Sequence, residues 1–280
     1  LFTSNLSHLI LFVGISIMVI PVWMIFASST HTSSFINAHG LQFFLGDSFQ
    51  ENYLRVLLYK GGFFKEITAL KMFLNSFIMA TGVALLSVVT SLMAAYALVY
   101  YRTKYATFLF WLIFITILVP LELRIFPTYS VMAKLNLVNS YFGLIVPISA
   151  SAIATLFFRQ FYKTVPDELL ESAKLDGANS WRFFIDFLVP LSKTMIAAMF
   201  IFMFVYGYSQ YLWPLIMTTS EKYWTVVMGM KIIFTESYEG GALPRTAEIF
   251  AYLILSMLPP VLVVVILQKW FIKGLIQTEK

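Results

Sequence analysis

The sequence contains no cysteine, which excludes disulfides, Cys-ligated zinc and thiol catalysis and leaves the redox compartment undetermined. It is also poor in charge. Asp, Glu, Lys and Arg make up 12% of the 280 residues, against roughly 25% in an ordinary soluble domain. There is no GxxxxGK[ST] phosphate-binding loop, so the chain does not bind and hydrolyse ATP in that way. The three histidines, His8, His31 and His39, show no HExxH or other metal-ligand spacing and read as solvated or interfacial. The reading is therefore of a non-enzyme with no catalytic residues, no metal site and no cofactor.

What the chain has in excess is apolar surface. Hydrophobic residues make up 60% of it and the mean hydropathy is +0.82. A water-facing surface cannot absorb that surplus, so a soluble enzyme, a nucleic-acid-binding domain and a disordered chain are all excluded. The net charge of +5 comes from basic residues scattered between apolar runs, which gives no footprint for nucleic acid. The chain reads as an all-α integral membrane protein, in contact with membrane lipid.

A bilayer core of about 30 Å needs roughly 20 mostly apolar residues per helix. Six stretches qualify: Leu6–Ala27, Met72–Tyr101, Ala106–Phe126, Tyr141–Phe161, Met195–Met217 and Ala247–Phe271. The first lacks a Lys/Arg n-region and is longer than a signal-peptide core, so it reads as an uncleaved span. No Asp, Glu, Lys or Arg lies deep inside any of them, whereas an ion-coupled carrier keeps such groups near mid-membrane. Energy for uphill transport would then come from another subunit.

Six spans place both termini on one side. Segments on that side hold 10 of the 19 Lys/Arg, against 9 spread over longer loops on the other. By density, the positive-inside rule makes the termini cytoplasmic. Acidic residues leave that side at +4 and the outer side at +1, by the same division of the sequence. The outer side carries one long loop, residues 28–71, whose Phe43, Phe44, Phe63 and Phe64 suit a membrane interface or a partner. A second outer segment, 218–246, reads as irregular, with Gly240, Gly241 and Pro244 as breakers around a short helix from Tyr223 to Phe234.

Between the fourth and fifth spans, residues 163–194 read as two short helices along the cytoplasmic surface. In the first, Thr164 reads as N-cap, Pro166 falls in the first turn and Asp167 completes a capping box. Asp167 and Glu168 complement the helix dipole, and Gly177 suits the left-handed position that ends the helix. The second runs from Ser180 to Leu188, with Trp181, Phe184, Ile185 and Leu188 on one face, and Pro190 breaks it.

The run Glu171-Ser172-Ala173-(x)2-Asp176-Gly177-Ala178, with Pro190 following, closely resembles the EAA loop of ABC-importer permeases. Ser172 replaces the family's usual alanine, one small residue for another. Pro120 to Tyr129 and Leu135 to Leu144 resemble the carbohydrate-uptake branch of that family. Arg124-Ile125-Phe126-Pro127, Phe158-Arg159-Gln160-Phe161, Tyr206-Gly207, Gln210-Tyr211-Leu212-Trp213-Pro214 and the ending Gly274-Leu275 through Glu279-Lys280 look like the E-type permeases of sn-glycerol-3-phosphate importers.

This resemblance implies a type I ABC-importer permease of the bacterial inner membrane: one domain over residues 1–280, six transmembrane helices and a coupling helix between spans four and five. It implies docking on an ATPase dimer through Glu171, Ser172, Ala173, Asp176, Gly177, Ala178 and Pro190. It further implies a homologous second permease and a periplasmic or lipid-anchored substrate-binding protein. The substrate would be sn-glycerol-3-phosphate or a glycerophosphodiester; the rival substrates are a sugar, a disaccharide or a polyol. A stand-alone carrier and a membrane-embedded phosphatase or transferase are the rivals from other classes.

Candidate pathway residues are Arg124 with Glu122 near the exit of span three, and Tyr206, Gln210 and Trp213 on span five, with Tyr208 beside them. A guanidinium fork suits a phosphate ester, although Arg124 also reads as an ion-pair partner of Glu122 or as a snorkelling side chain. The span-five cluster equally suits packing between helices. Ser87, Ser91 and Ala95 recur every four residues in span two and read foremost as a close-packing face. Pro120 and Pro127 flank the end of span three, Pro214 sits in span five and Pro259-Pro260 interrupts span six. Such prolines either shape a cavity or are merely tolerated.

Overall fold

A computed structural model describes residues 2–58, 67–101, 104–239 and 245–276. The expectations for Phe63, Phe64, Gly240, Gly241, Pro244 and residues 277–280 lie outside the described residues. Among the described residues every regular element is helical. The first helices are α1 (Phe2–Ser29), α2 (Ser33–His39), α3 (Phe49–Leu58), α4 (Ala69–Tyr100) and α5 (Ala106–Ile115). Then come α6 (Leu121–Lys134), α7 (Tyr141–Ile145), α8 (Ala152–Lys163), α9 (Asp167–Leu175) and α10 (Ser180–Arg182). After α10, a π-helical stretch (Phe183–Leu188) leads to α11 (Val189–Leu191), α12 (Lys193–Tyr208), α13 (Leu212–Met217), α14 (Val226–Glu239) and α15 (Thr246–Ile276).

Three stretches are long and apolar enough to cross a membrane: Leu6–Ser29, Ala69–Tyr100 and Thr246–Lys269. Three bent pairs of helices pass the same test and bring the number to six. The sequence reading of continuous third, fourth and fifth spans is corrected accordingly. Span three stops at Leu118, and α6 leaves at 105°. Val119 is extended (φ −89°, ψ 107°) because it precedes a proline, and Pro120, with ψ 146°, starts a new helix. Span four is α7 and α8, bent by 50° across Ser149–Ser151. Span five ends at Tyr208, and Pro214 falls in the first turn of α13, where its missing N–H has no cost. Span six is not interrupted: α15 passes through Pro259 and Pro260, although each proline removes one i→i−4 hydrogen bond.

The chain divides into two compact units. One comprises Leu1–Leu74 with Trp224–Leu258, the other Asn75–Tyr223 with Pro259–Lys280. In the first unit, Met72, Val226, Ile233, Ala251 and Tyr252 are buried around Tyr53 and Val56 of α3. The Tyr252 hydroxyl donates to the Val226 carbonyl at 3.0 Å.

Among its described residues, the loop 28–71 carries α2 and α3. Asn52 Nδ2 donates to the carbonyls of Ser29 (2.8 Å) and His31 (2.7 Å), satisfying acceptors at the end of α1. The Tyr53 hydroxyl lies 2.9 Å from Ser29 Oγ, and burial pushes its phenol pKa above the usual value. Arg55 pairs with Glu51 at 2.5 Å and with Glu248 at 3.3 Å, and Arg245 lies 3.9 Å from Glu248. His31 and His39 stack on either side of Phe35.

The second unit has two apolar clusters. Met79, Val83, Leu144, Phe204, Trp213 and Met217 belong to one. Val88, Leu92, Phe158, Phe183, Phe184, Leu188 and Met199 belong to the other. Ser87 and Ser91 of α4 are buried and donate to the carbonyls of Ser149 (2.6 Å) and Ser151 (3.1 Å), so the small-residue face of α4 grips the bend before α8. A Cβ at Gly143 would sit 2.2 Å from the Leu137 carbonyl oxygen, so only glycine fits the start of α7.

Candidate functional site: a capped surface helix and a lined cavity

Residues 163–194 form the first part of the site. Helix α9 begins at Asp167 with Pro166 as its N-cap (φ −61°, ψ 140°), and no side chain caps it. Thr164 is therefore not the N-cap, and the capping box does not form. Its hydroxyl donates to the Phe161 carbonyl at 2.7 Å and closes α8 instead. Proline's preset φ makes Pro166 a sufficient start, and Asp167 and Glu168 still sit in the first turn, where the dipole favours them.

The other end is as the sequence suggested. Gly177 has φ +77°. Its N–H donates to Lys174 O at 3.0 Å, and Ala178 N–H donates to Ala173 O at 2.9 Å. These are the two bonds of a Schellman motif.

Ala173 is buried, packed in the cluster that contains Tyr96, Phe158, Tyr162 and Phe183. Glu171, Ser172, Asp176 and Gly177 are exposed, and Ala178 is half-buried. Leu175 is 89% exposed, which is unusual for a leucine at the end of a helix. Ala173, with the half-buried Leu169 and Leu170, thus ties α9 to the core while Glu171, Ser172 and Leu175 face outward.

Asn179 caps the next helix, its side chain accepting from Arg182 N–H at 2.8 Å. Tyr96 of α4 donates its hydroxyl to Ser180 O at 2.7 Å. The single apolar face expected for Ser180–Leu188 is corrected. Phe183, Phe184 and Leu188 are buried, while Trp181 and Ile185 are exposed. The π-helical widening over Phe183–Leu188 brings adjacent phenylalanines inward together, which a 3.6-residue repeat does not do. Pro190 is exposed in the first turn of α11, and the 76° bend into α12 falls two residues later, at Ser192. Ser192 Oγ donates to Leu188 O at 2.6 Å there.

The second part is a cavity of ≈ 260 Å³ lined by Thr116, Pro120, Arg124, Ser151, Met203 and Tyr206, among others. Of the five pathway candidates, the structure brings Arg124 and Tyr206 together here. Glu122 is exposed and not part of the lining. Glu122 and Arg124 do not form an ion pair with each other. Gln210 donates back to Tyr206 O at 3.2 Å. Trp213 is sealed in the core, its indole N–H 3.2 Å from Leu144 O, so it packs rather than lines.

Sequence reasoning missed two features of this unit. Asn139, at φ +57°, accepts from Thr219 N–H (2.8 Å) and Ser220 N–H (3.0 Å) and donates to Thr219 Oγ1 (2.9 Å), joining loops 80 residues apart. An asparagine in a polar loop was the only available signal. Arg159 places its guanidinium carbon 3.9 Å from the centre of the Phe110 ring, linking α8 to α5.

Residues 87–277 match the family model described as binding-protein-dependent transport system inner membrane component. The chain is 41% identical over 280 residues to the sn-glycerol-3-phosphate transport system permease protein UgpE of Brucella melitensis, covering 99% of this chain and 98% of that one. It is 40% identical over 274 residues to the protein of the same name from Yersinia pestis, covering 98% and 96%. The corresponding figure for Agrobacterium fabrum is 40% over 279 residues, again covering 98% and 96%. Among solved structures, a bacterial ABC transporter involved in import of the acidic polysaccharide alginate superposes with a TM-score of 0.80 at 19% identity, covering 96% of each chain. That likeness shows the fold. With the family model and the near-full-length relatives beside it, the chain belongs to the inner membrane components of binding-protein-dependent ABC transport systems.

Proposed function

We propose that this chain is the permease subunit of an ATP-driven importer for sn-glycerol-3-phosphate or glycerophosphodiesters. The observation that carries the reading is identity of 41% over 99% of the chain to a permease of an sn-glycerol-3-phosphate system. In this reading residues 1–280 act as one permease domain with both termini cytoplasmic. It works beside a homologous second permease, an ATPase dimer and a substrate-binding protein on the outer side. It performs no bond chemistry.

The coupling segment is 163–194. Helix α9 offers Glu171, Ser172, Asp176, Gly177 and the exposed Leu175 to the ATPase, and Ala178 and Pro190 hold the path back to the membrane. Ala173 anchors α9 in a cluster shared with α4, α8 and α12. A displacement of α9 on ATPase closure therefore reaches those three helices through close-packed side chains, which transmit strain rather than absorb it.

The test is uptake by the four-component importer in proteoliposomes. ATP-dependent accumulation of radiolabelled sn-glycerol-3-phosphate is the expected result. Accumulation of a neutral disaccharide or polyol with none of the phosphate ester would contradict the substrate assignment, and uptake without ATP would contradict the class.

A further inference from the structure

We infer that the cavity lined by Arg124 and Tyr206 is a site for the phosphate group of the transported ester, with the Arg124 guanidinium as its principal ligand. The inference rests on the reading of the chain as a phosphate-ester permease.

An arginine carries five N–H donors and cannot be deprotonated in a protein. Among the described residues the Arg124 side chain has no hydrogen-bond or ion-pair partner, and the Tyr206 hydroxyl has none either. Arg124 is exposed on α6, just past the turn that ends span three, and it lines the cavity together with Tyr206. Two more donors come from the backbone. Ala152 and Ile153 line the same cavity as the first residues of the twelve-residue α8, and their N–H groups have no partner among the described residues. The cap from Ser151 Oγ goes to Ala154 N–H, at 3.1 Å, which leaves those two amides free. The guanidinium defines the site; the amides add donors and a favourable dipole.

Size points the same way. A cavity of ≈ 260 Å³ falls below the range of about 300–1,000 Å³ that holds drug-sized ligands. It suits a three-carbon ester and not an oligosaccharide.

The absence of native cysteine makes a direct test possible. Ala150→Cys places one thiol in the cavity lining of this subunit, and its modification is read on this subunit after the assembled importer is separated. A negatively charged sulfonate thiosulfonate reagent and a positively charged trimethylammonium one are compared. With Arg124 present, the anionic reagent is favoured by about ten-fold relative to the Arg124→Gln background, the effect of one strong charge-assisted hydrogen bond. Added sn-glycerol-3-phosphate slows labelling, and glycerol does not.

Arg124→Lys retains much of the preference, and Tyr206→Phe weakens protection by the ester by about three-fold, one neutral hydrogen bond. These two variants carry the test if Arg124→Gln does not assemble. An anionic preference indifferent to residue 124, or no protection by the ester in an importer that does take it up, overturns the inference. Failure of the unmodified importer to take up sn-glycerol-3-phosphate overturns the substrate reading instead, and is seen in the uptake assay alone.

Discussion

Segments 163–194 and 28–71 are both polar connectors between apolar helices, yet they are built on opposite principles. The first is organised by local chemistry. Its caps, its left-handed glycine and its turn bonds all lie within a few residues of one another, and α9 meets the core through Ala173, Leu169 and Leu170. The second is organised by distance. α3 is held through Arg55 to Glu248, 193 residues away, and Asn52 reaches back to the end of α1. A locally defined helix keeps its shape while it moves as a unit. A helix defined by distant ion pairs is fixed to its neighbours. That contrast suits the first to docking and the second to bracing.

Removing the brace is the largest effect. Glu248 has only 6% of its side chain exposed, while Arg55 and Arg245 are about half exposed at 47% and 48%. Glu248→Ala then costs less than the 3–5 kcal/mol of a fully buried pair, about 2 kcal/mol. The thermal unfolding midpoint of the purified subunit complex falls accordingly. The ratio of ATP hydrolysed to substrate taken up is unchanged in the molecules that remain folded. A change in that ratio without a change in midpoint would collapse the contrast.

Gly177→Val is the converse. A Cβ there meets nothing within 4 Å, so the cost is backbone strain alone, about 1–2 kcal/mol for an L-residue in the left-handed region. Uptake falls several-fold with ATP hydrolysis retained, while the unfolding midpoint drops by no more than it does for Glu248→Ala. Gly177→Asn, which tolerates that conformation, keeps most of the uptake. Equal uptake by Val and wild type would remove the role of the turn. The smallest effect is Asn179→Ala, which deletes the cap on α10 for about 1 kcal/mol. It shows as faster amide exchange at Arg182 and Phe183 and as little else.

How much was legible follows the same divide. The glycine-terminated α9 was readable because its signals are adjacent, and even the misplaced N-cap moved only from Thr164 to Pro166. The apolar runs marked six membrane segments and Pro120 marked a kink at the end of span three, but not that the kink would reach 105°, because hydropathy continues across a break made by backbone geometry. The π-helical stretch was invisible to a repeat that assumes regular turns. α3 was missed because its partners, Ser29 and Glu248, are remote, whereas α2 carries local signals in its Thr32 N-cap and Gly40 that went unread. In the cavity, Arg124 and Tyr206 were each suspected, but their meeting depends on the size of the turn at Pro120. Trp213, read as either a pathway or a packing residue, packs, because an aromatic near polar neighbours looks alike in a core and in a pore.

The two segments give the most direct test of the whole account through a pair of single thiols. Leu175→Cys and Phe44→Cys fall on residues that are 89% and 81% exposed, in a chain with no native cysteine. In intact cells expressing the complete importer, a membrane-impermeant thiol reagent should label Phe44→Cys on this subunit once the outer barrier is opened. Leu175→Cys should be labelled only after the inner membrane is breached, and should cross-link to the ATPase subunit. Labelling of Leu175→Cys from the outer side, or cross-linking of Phe44→Cys to the ATPase, would contradict the assignment of 163–194 as the coupling segment.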